Sequence, residues 1–307
     1  MNDVEALAGL RIENSRLSAY GRMAFNLRNF FYHAEKISFS WERPRQYDQQ
    51  LKFSAVVPYI FGSPVGFSTD FFAQRLDTSY FNLRYGLTVN YYPSGMNSFG
   101  AGINVVQNLA NSAPENPLNV RKYLADFTLH LTNTGSLYPV RGYEFDLSVD
   151  YGNKVWQDSV FKQLNASLAF ARYVKVFQRL TLRLATSDFI MLSPVIFDNE
   201  AVFVGGTGIF RGFNPQQFRA TGYWNFSADT RWMFDKYTFA FVFAEAGQIY
   251  NNTVSAHYSL NTLGLGAGFN FRIGNSLINI TYALGTSTPF RFNPRDSKIH
   301  ISYRLLF

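Results

Sequence analysis

Residues 80–92 read YFNLRYGLTVNYY, and the alternation in that stretch recurs along most of the chain. Phe81, Leu83, Tyr85, Leu87, Val89 and Tyr91 fall on one face of an extended strand, and Asn82, Arg84, Gly86, Thr88 and Asn90 on the other. A single such strand fits a soluble sandwich equally well, its apolar face turned to a core. Repetition carries more weight. Sixteen strand candidates lie near 4–13, 17–28, 33–44, 49–60, 65–76, 80–92, 98–108, 121–133, 140–151, 161–173, 179–188, 222–233, 237–248, 260–272, 276–286 and 297–307.

The connectors alternate in kind. Those after even-numbered strands are turn-like, among them Gly62-Ser63-Pro64, Pro93-Ser94-Gly95, Thr134-Gly135, Asp235-Lys236 and Gly274-Asn275. Several after odd-numbered strands are long: 109–120, 152–160, 188–221, 249–259 and 287–296. Short turns on one side and long loops on the other predict an all-β, antiparallel transmembrane barrel of sixteen strands, with an outward apolar band that includes Phe81, Leu83, Leu129 and Ile301. Strands of ~10–12 residues plus such loops use about 300 residues, so residues 1–307 read as one barrel domain, with both termini on the periplasmic side. A propeller would repeat every ~40–50 residues, and no such period is present.

The last strand closes the pattern. Ile299, Ile301, Tyr303, Leu305 and Phe307 alternate with Lys298, His300, Ser302, Arg304 and Leu306. An alternating final strand with a terminal aromatic resembles the assembly signal of bacterial outer-membrane barrels, which implies that Tyr303, Leu305 and Phe307 are read by the assembly machinery. It also implies that this strand, with Phe307, pairs with the first, leaving no free edge in lipid.

Composition agrees with strands rather than helices. Aromatic residues make up 18% of the chain (32 Phe, 19 Tyr, 4 Trp), enough for interfacial girdles. Mean hydropathy is only -0.11. The longest apolar run, residues 237–244, is strand-sized and well short of the ~18 residues of a membrane-spanning helix. Cysteine is absent, which suits an oxidising compartment. No basic segment followed by an apolar one opens the chain, so it reads as a mature form starting at Met1. The net charge of +7 invites a nucleic-acid reading, but Arg22, Arg84, Arg172, Arg231 and Arg304 are spread one to a strand, mostly on polar faces, instead of forming a patch. A charged lumen, or contact with anionic lipopolysaccharide and phospholipid, accounts for them without nucleic acid.

The most specific stretch is VGGTGIFRGFNP over residues 204–215, inside the longest connector. Strand twelve follows with NFSADTRW, strand thirteen holds FAEAG, and the next two read LGLGAGFNFRIGNSLINITYALG. In this order the chain resembles the BamA/TamA, or Omp eighty-five, superfamily of outer-membrane insertases and translocases, closely over about 205–307 and by pattern before that. Arg211, Gly212 and Phe213 match the family's (V/I)-R-G-(F/Y) motif, with Phe210 at the usual Val or Ile. Asp229 and Arg231 match its E-x-R pair, and Glu245 and Gly247 its F-x-D-x-G pattern. The resemblance implies that loop 189–221 folds into the lumen, where Arg211 is held by Asp229 and Glu245; arginine's rigid fork suits two carboxylates.

Parity leaves one question open. Glu245 shares a face with Phe239, Phe241 and Phe243, so either those rings point inward beneath the loop or a bulge shifts the register; the first is the expectation. Gly264, Gly266 and Gly268 alternate along a strand with no helix after them, which predicts close backbone approach by the loop and not a phosphate cradle. No catalytic pair, cofactor or metal is expected: inward carboxylates need no chemistry to explain them, and His33, His130, His257 and His300 are scattered.

The resemblance implies work in outer-membrane biogenesis at a weakly paired seam between the first and last strands, where the bilayer thins. The client is another outer-membrane protein, with a periplasmic partner, or else phospholipid or lipopolysaccharide. A third alternative is the membrane domain of a larger protein with a soluble enzyme. Most family members carry periplasmic POTRA domains before the barrel, and only about three residues precede the first strand here.

Overall fold

The computed structural model describes residues 2–13, 16–43, 48–76, 80–110 and 119–306. The strands on the N-terminal side are β1 (Asp3–Glu13), β2 (Arg16–Arg28), β3 (Lys36–Arg43), β4 (Gln49–Val57), β5 (Val65–Leu76), β6 (Tyr80–Ser94), β7 (Asn97–Ala110) and β8 (Val120–Thr132). They are followed by β9 (Gly142–Trp156), β10 (Ser159–Lys175) and β11 (Leu180–Leu192), then a small hairpin of β12 (Val202–Val204) and β13 (Phe218–Ala220). The last five are β14 (Gly222–Met233), β15 (Phe239–Asn252), β16 (His257–Ile273), β17 (Ser276–Ser287) and β18 (Lys298–Leu306). All but β12 and β13 join one closed antiparallel barrel, each strand beside its sequence neighbour, with β11 beside β14 and β18 beside β1.

The faces are inverted relative to a soluble sandwich. On β6 the polar residues Asn82, Thr88 and Asn90 are buried while Tyr85, Leu87, Val89 and Tyr91 are exposed. The polar face looks into the barrel, where Asn108 Nδ2 donates to Asn82 at 2.9 Å, Thr88 to Asp126 at 3.1 Å and Asn104 to Asp150 at 2.6 Å. Phe81, Leu83, Leu129 and Ile301 lie on the opposite, outer face; Leu129 sits between Phe99 and Leu147, and Ile301 beside Ile280. An apolar exterior over a hydrogen-bonded interior is what lipid outside and water inside select. Arg172 departs from the inward set: it pairs with Leu184 on the outer face and is exposed.

Several expected boundaries move. The connectors after β9 and β15 shrink to 157–158 and 253–256, because polar residues such as Asn153, Lys154 and Asn251 extend the ladders beyond the apolar alternation. Conversely, the connector between β8 and β9 grows to 133–141. The third strand starts at Lys36 rather than 33: Asn29, Tyr32 and Ala34 adopt left-handed backbone, and the Glu35 carboxylate accepts the His33 N–H at 3.0 Å. The fourth ends at Val57 before left-handed Tyr59 and Phe61. Loop residues 111–118 and Phe307 lie outside the described residues.

The seam is short. β1 pairs with β18 from Asp3↔Leu306 to Ala8↔Ile301, whereas it pairs with β2 all the way to Glu13↔Arg16. Among the described residues, Gly9 to Glu13 therefore have ladder partners on one side only. On the inner face the closed part is bridged by charge: Arg304 Nη2 donates to Glu5 at 2.7 Å and its Nε lies 3.7 Å from Asp3.

Candidate functional site

Residues 193–221 connect β11 to β14, and the sequence motif sits between β12 and β13. Arg211 Nη2 donates to Asp229 Oδ1 at 2.7 Å, its Nε meets Glu245 Oε1, and its own backbone N–H reaches Glu245 Oε2 at 2.9 Å. The guanidinium lies 3.7 Å from the centroid of the Phe243 ring. One planar side chain thus binds two carboxylates through separate edges and stacks by its face, which a lysine's point charge cannot reproduce.

The wall positions both acids. β14 and β15 pair in regular register, Asp229↔Phe243 and Ser227↔Glu245, with no bulge. Phe239, Phe241 and Phe243 share the inner face with Glu245, the first of the two arrangements the parity allowed. Asp229 is further shared with Arg183 at 3.2 Å and Arg231 at 3.6 Å, and the Arg231 guanidinium lies 5.6 Å from the Tyr173 ring centroid and 5.4 Å from that of Phe239. Three arginines therefore surround two acids. Arg183, on β11 directly opposite Asp229, was missed by the sequence reading although its parity places it inward.

Around the charges the motif's other residues pack. Phe210, only 1% exposed and in left-handed backbone at φ 62, clusters with Val204, Phe213, Ala220 and Ile249. Gly247 makes room for it: a Cβ there would lie 2.7 Å from the Phe210 ring. Gly212 crosses Gly285 of β17 so closely that a Cβ on Gly212 would lie 2.4 Å from the Gly285 Cα. His300 Nε2 hydrogen-bonds to the Arg211 carbonyl oxygen at 3.0 Å, so β18 also touches the motif.

The glycines of β16 need a correction. A Cβ on Gly266 would strike the Phe243 ring at 2.4 Å, one on Gly268 the Phe241 ring at 2.4 Å, and one on Gly264 would touch Glu245 at 3.4 Å. These glycines admit side chains of the adjacent strand β15; the loop's own close approach is at Gly285. In the assembly-signal set, Tyr303 and Leu305 face outward from β18, and Tyr303 Oη lies 2.7 Å from Ser276 Oγ.

A second charged contact holds the same connector, with the polarity reversed. Glu200 lies between Lys122 of β8 and Lys154 of β9, its Oε1 2.7 Å from Lys122 Nζ and its Oε2 against Lys154 Nζ. Lys122 and Lys154 are directly opposite each other in the ladder, an arrangement of like charges that is unfavourable unless an acid sits between them. Lys154 is fully buried; it also donates to the Val195 carbonyl at 2.6 Å and lies 4.9 Å from the Phe197 ring. The Phe197 N–H donates to Glu200 at 2.7 Å, Asn108 to the Asn199 carbonyl at 3.2 Å, and Thr253 to Asp198 at 2.6 Å. Between the connector and the wall of β2 to β9 remains a cavity of about 470 Å³, bordered by Arg22, Lys52, Arg84, Asp150 and, from the connector, Gly205 and Gln216.

The sequence matches no protein-family profile and no curated protein. Solved structures do match. Over 99% of its length the chain superposes on BamA from Haemophilus ducreyi lacking POTRA domains 1-3, with a TM-score of 0.63 at 12% identity and 69% of that chain covered. CdiB from Acinetobacter baumannii gives a TM-score of 0.67 at 13% identity, and CdiB from Escherichia coli 0.62 at 14%, each over 99% of this chain. This is the barrel fold of BamA and CdiB. The chain spans 59% and 63% of the length of the two CdiB structures, so what those whole proteins do is not carried over by the fold. Within a BamA-type barrel, the last-strand seam, the long connector after β11 and the Arg211 contacts occupy one continuous region, since His300 of β18 touches Arg211.

Proposed function

We propose that this protein is an outer-membrane barrel of the BamA/TamA kind that takes part in outer-membrane biogenesis, aiding insertion or translocation of other proteins at the β1–β18 seam. The observation that carries the reading is that seam. Among the described residues β1 pairs with β18 from Asp3 to Ala8, and Gly9 to Glu13 have ladder partners on the β2 side alone. An open strand edge in lipid is unstable alone and templates an incoming strand. Residues 193–221 act as a lumenal plug in this reading, with Arg211, Asp229 and Glu245 as one anchor and Glu200 with its lysines as the other. The short turns and both termini face the periplasm. The barrel serves as a scaffold and not a catalyst.

A photo-reactive residue in place of Ala6 or Tyr303, outward beside the seam, tests this in cells. Crosslinks to strands of assembling outer-membrane proteins support insertion. Lipid scrambling by the purified barrel in vesicles, with no protein crosslinks, would replace that reading with lipid transport. The unpaired edge serves either client, since a poorly sealed seam also perturbs the bilayer next to it.

A further inference from the structure

At the end that carries the termini, the connectors 133–141, 176–179 and 234–238 enclose a cleft of about 490 Å³. Its walls present Arg141, Arg179 and Lys236, all exposed. None of the three makes an ion pair or a side-chain hydrogen bond among the described residues. The acid in the cleft, Asp235, is committed elsewhere: it accepts the Tyr237 N–H at 2.7 Å and the Thr238 N–H at 2.8 Å. The Tyr237 N–H, helped by Thr238, holds the Asp235 carboxyl below the usual carboxylate range, so it stays ionised; against its one negative charge the three cations leave the cleft net positive.

One wall of the cleft turns toward the barrel mouth. Its floor includes Met233 and Tyr138, and Met233 pairs with Phe239 on the inner face. Connector 133–141 reaches across the barrel mouth to β15 and β16, where the Tyr138 hydroxyl donates to Asn270 at 3.0 Å and its ring lies 5.0 Å from that of Phe239. Phe234, which also lines the cleft, marks its lipid-side edge: its ring lies 5.9 Å from that of the outward Phe269. Cationic walls over a partly apolar floor match an extended peptide that alternates acidic and apolar side chains.

We infer that this cleft docks an acidic, extended segment of a partner protein at the terminal end of the barrel. Such a site serves a protein inserter and a lipid handler alike, because it recruits the partner rather than the client.

The test uses the whole chain in nanodiscs of zwitterionic lipid. A fluorescein-labelled octapeptide of alternating glutamate and leucine should bind at least tenfold tighter than its glutamine–leucine counterpart, and lose at least tenfold between low and high salt. Arg141→Glu with Lys236→Glu should weaken binding at least tenfold, and Arg141→Gln with Lys236→Gln severalfold. The control pair Arg121→Glu with Lys162→Glu, exposed at the opposite end, should change it less than twofold. Retained heat-dependent shift in gel mobility establishes that each variant is folded. Because the chain has no cysteine, Ser136→Cys carrying an environment-sensitive dye reads the cleft directly. Its emission should shift with the glutamate peptide and not be quenched by brominated phosphatidylglycerol. Equal affinity for both peptides, no loss in the cleft variants, an equal loss in the control pair, or quenching by the brominated lipid would each overturn the assignment, the last in favour of a membrane surface.

Discussion

Replacing Glu200 with glutamine tests whether two opposed charged contacts hold the long connector. The substitution keeps the side chain's size but removes the charge between Lys122 and Lys154, which face each other across β8 and β9. The two ammonium groups stand on either side of one carboxylate, and at an effective dielectric near 20 two like charges about a carboxylate's width apart repel by about 3 kcal/mol. The amide oxygen can still accept from one lysine, but its NH₂ then meets the other donor to donor. Breaking a buried ionic network by removing one partner costs about 3–5 kcal/mol, less whatever water enters the cavity beside it. That raises the opening of residues 194–200 roughly a hundredfold or more. Hydrogen exchange of the amides in this segment should show it, and thermolysin should cut the connector from outside. The barrel should keep its heat resistance, because its wall ladders do not involve Glu200. Lys154→Met combined with Glu200→Gln removes the opposed lysine as well and should recover at least tenfold of the lost protection. Exchange within threefold of the parent in Glu200→Gln, or simple additivity in the double variant, would refute the reasoning.

Arg211→Ala leaves Asp229 and Glu245 without their shared cation and should destabilise the connector by up to about 3–5 kcal/mol, read as protease sensitivity near 205–217 in an intact barrel; Arg211→Lys should rescue little, since it cannot bind both acids while stacking on Phe243. Gly212→Ala places a methyl against the Gly285 backbone and should cost about 1–3 kcal/mol by the same assay, with Gly208→Ala, which has open space around it, as the neutral control. Leu129→Arg, on the outer face between Phe99 and Leu147, should cost about 2–4 kcal/mol in reversible unfolding from lipid if it lies at mid-bilayer depth; a loss below about 1 kcal/mol would place it at an interface.

Much of this molecule was legible in its alternation. Lipid outside and water inside impose a two-residue period on every strand, so strand number, antiparallel order and the outward placing of Phe81, Leu83, Leu129 and Ile301 could be read from the chain alone. The contact of Arg211 with Asp229 and Glu245 was also expected, through the family resemblance that the motif order carries, and the shared parity of Glu245 with its phenylalanines agreed with it. What the sequence could not supply was distance across the barrel. Arg183 opposite Asp229, and Lys122 opposite Lys154, become neighbours only through register, and Glu200 joins them only because the connector turns back against β8 and β9. Strand ends were lost for a related reason: beyond the apolar band, polar residues such as Asn153 and Asn251 carry the same ladder bonds without the periodic signature. The glycines of β16 looked like clearance for the loop, yet the rings of Phe241 and Phe243 fill it, because which neighbour occupies a space is decided by packing between strands and not along one.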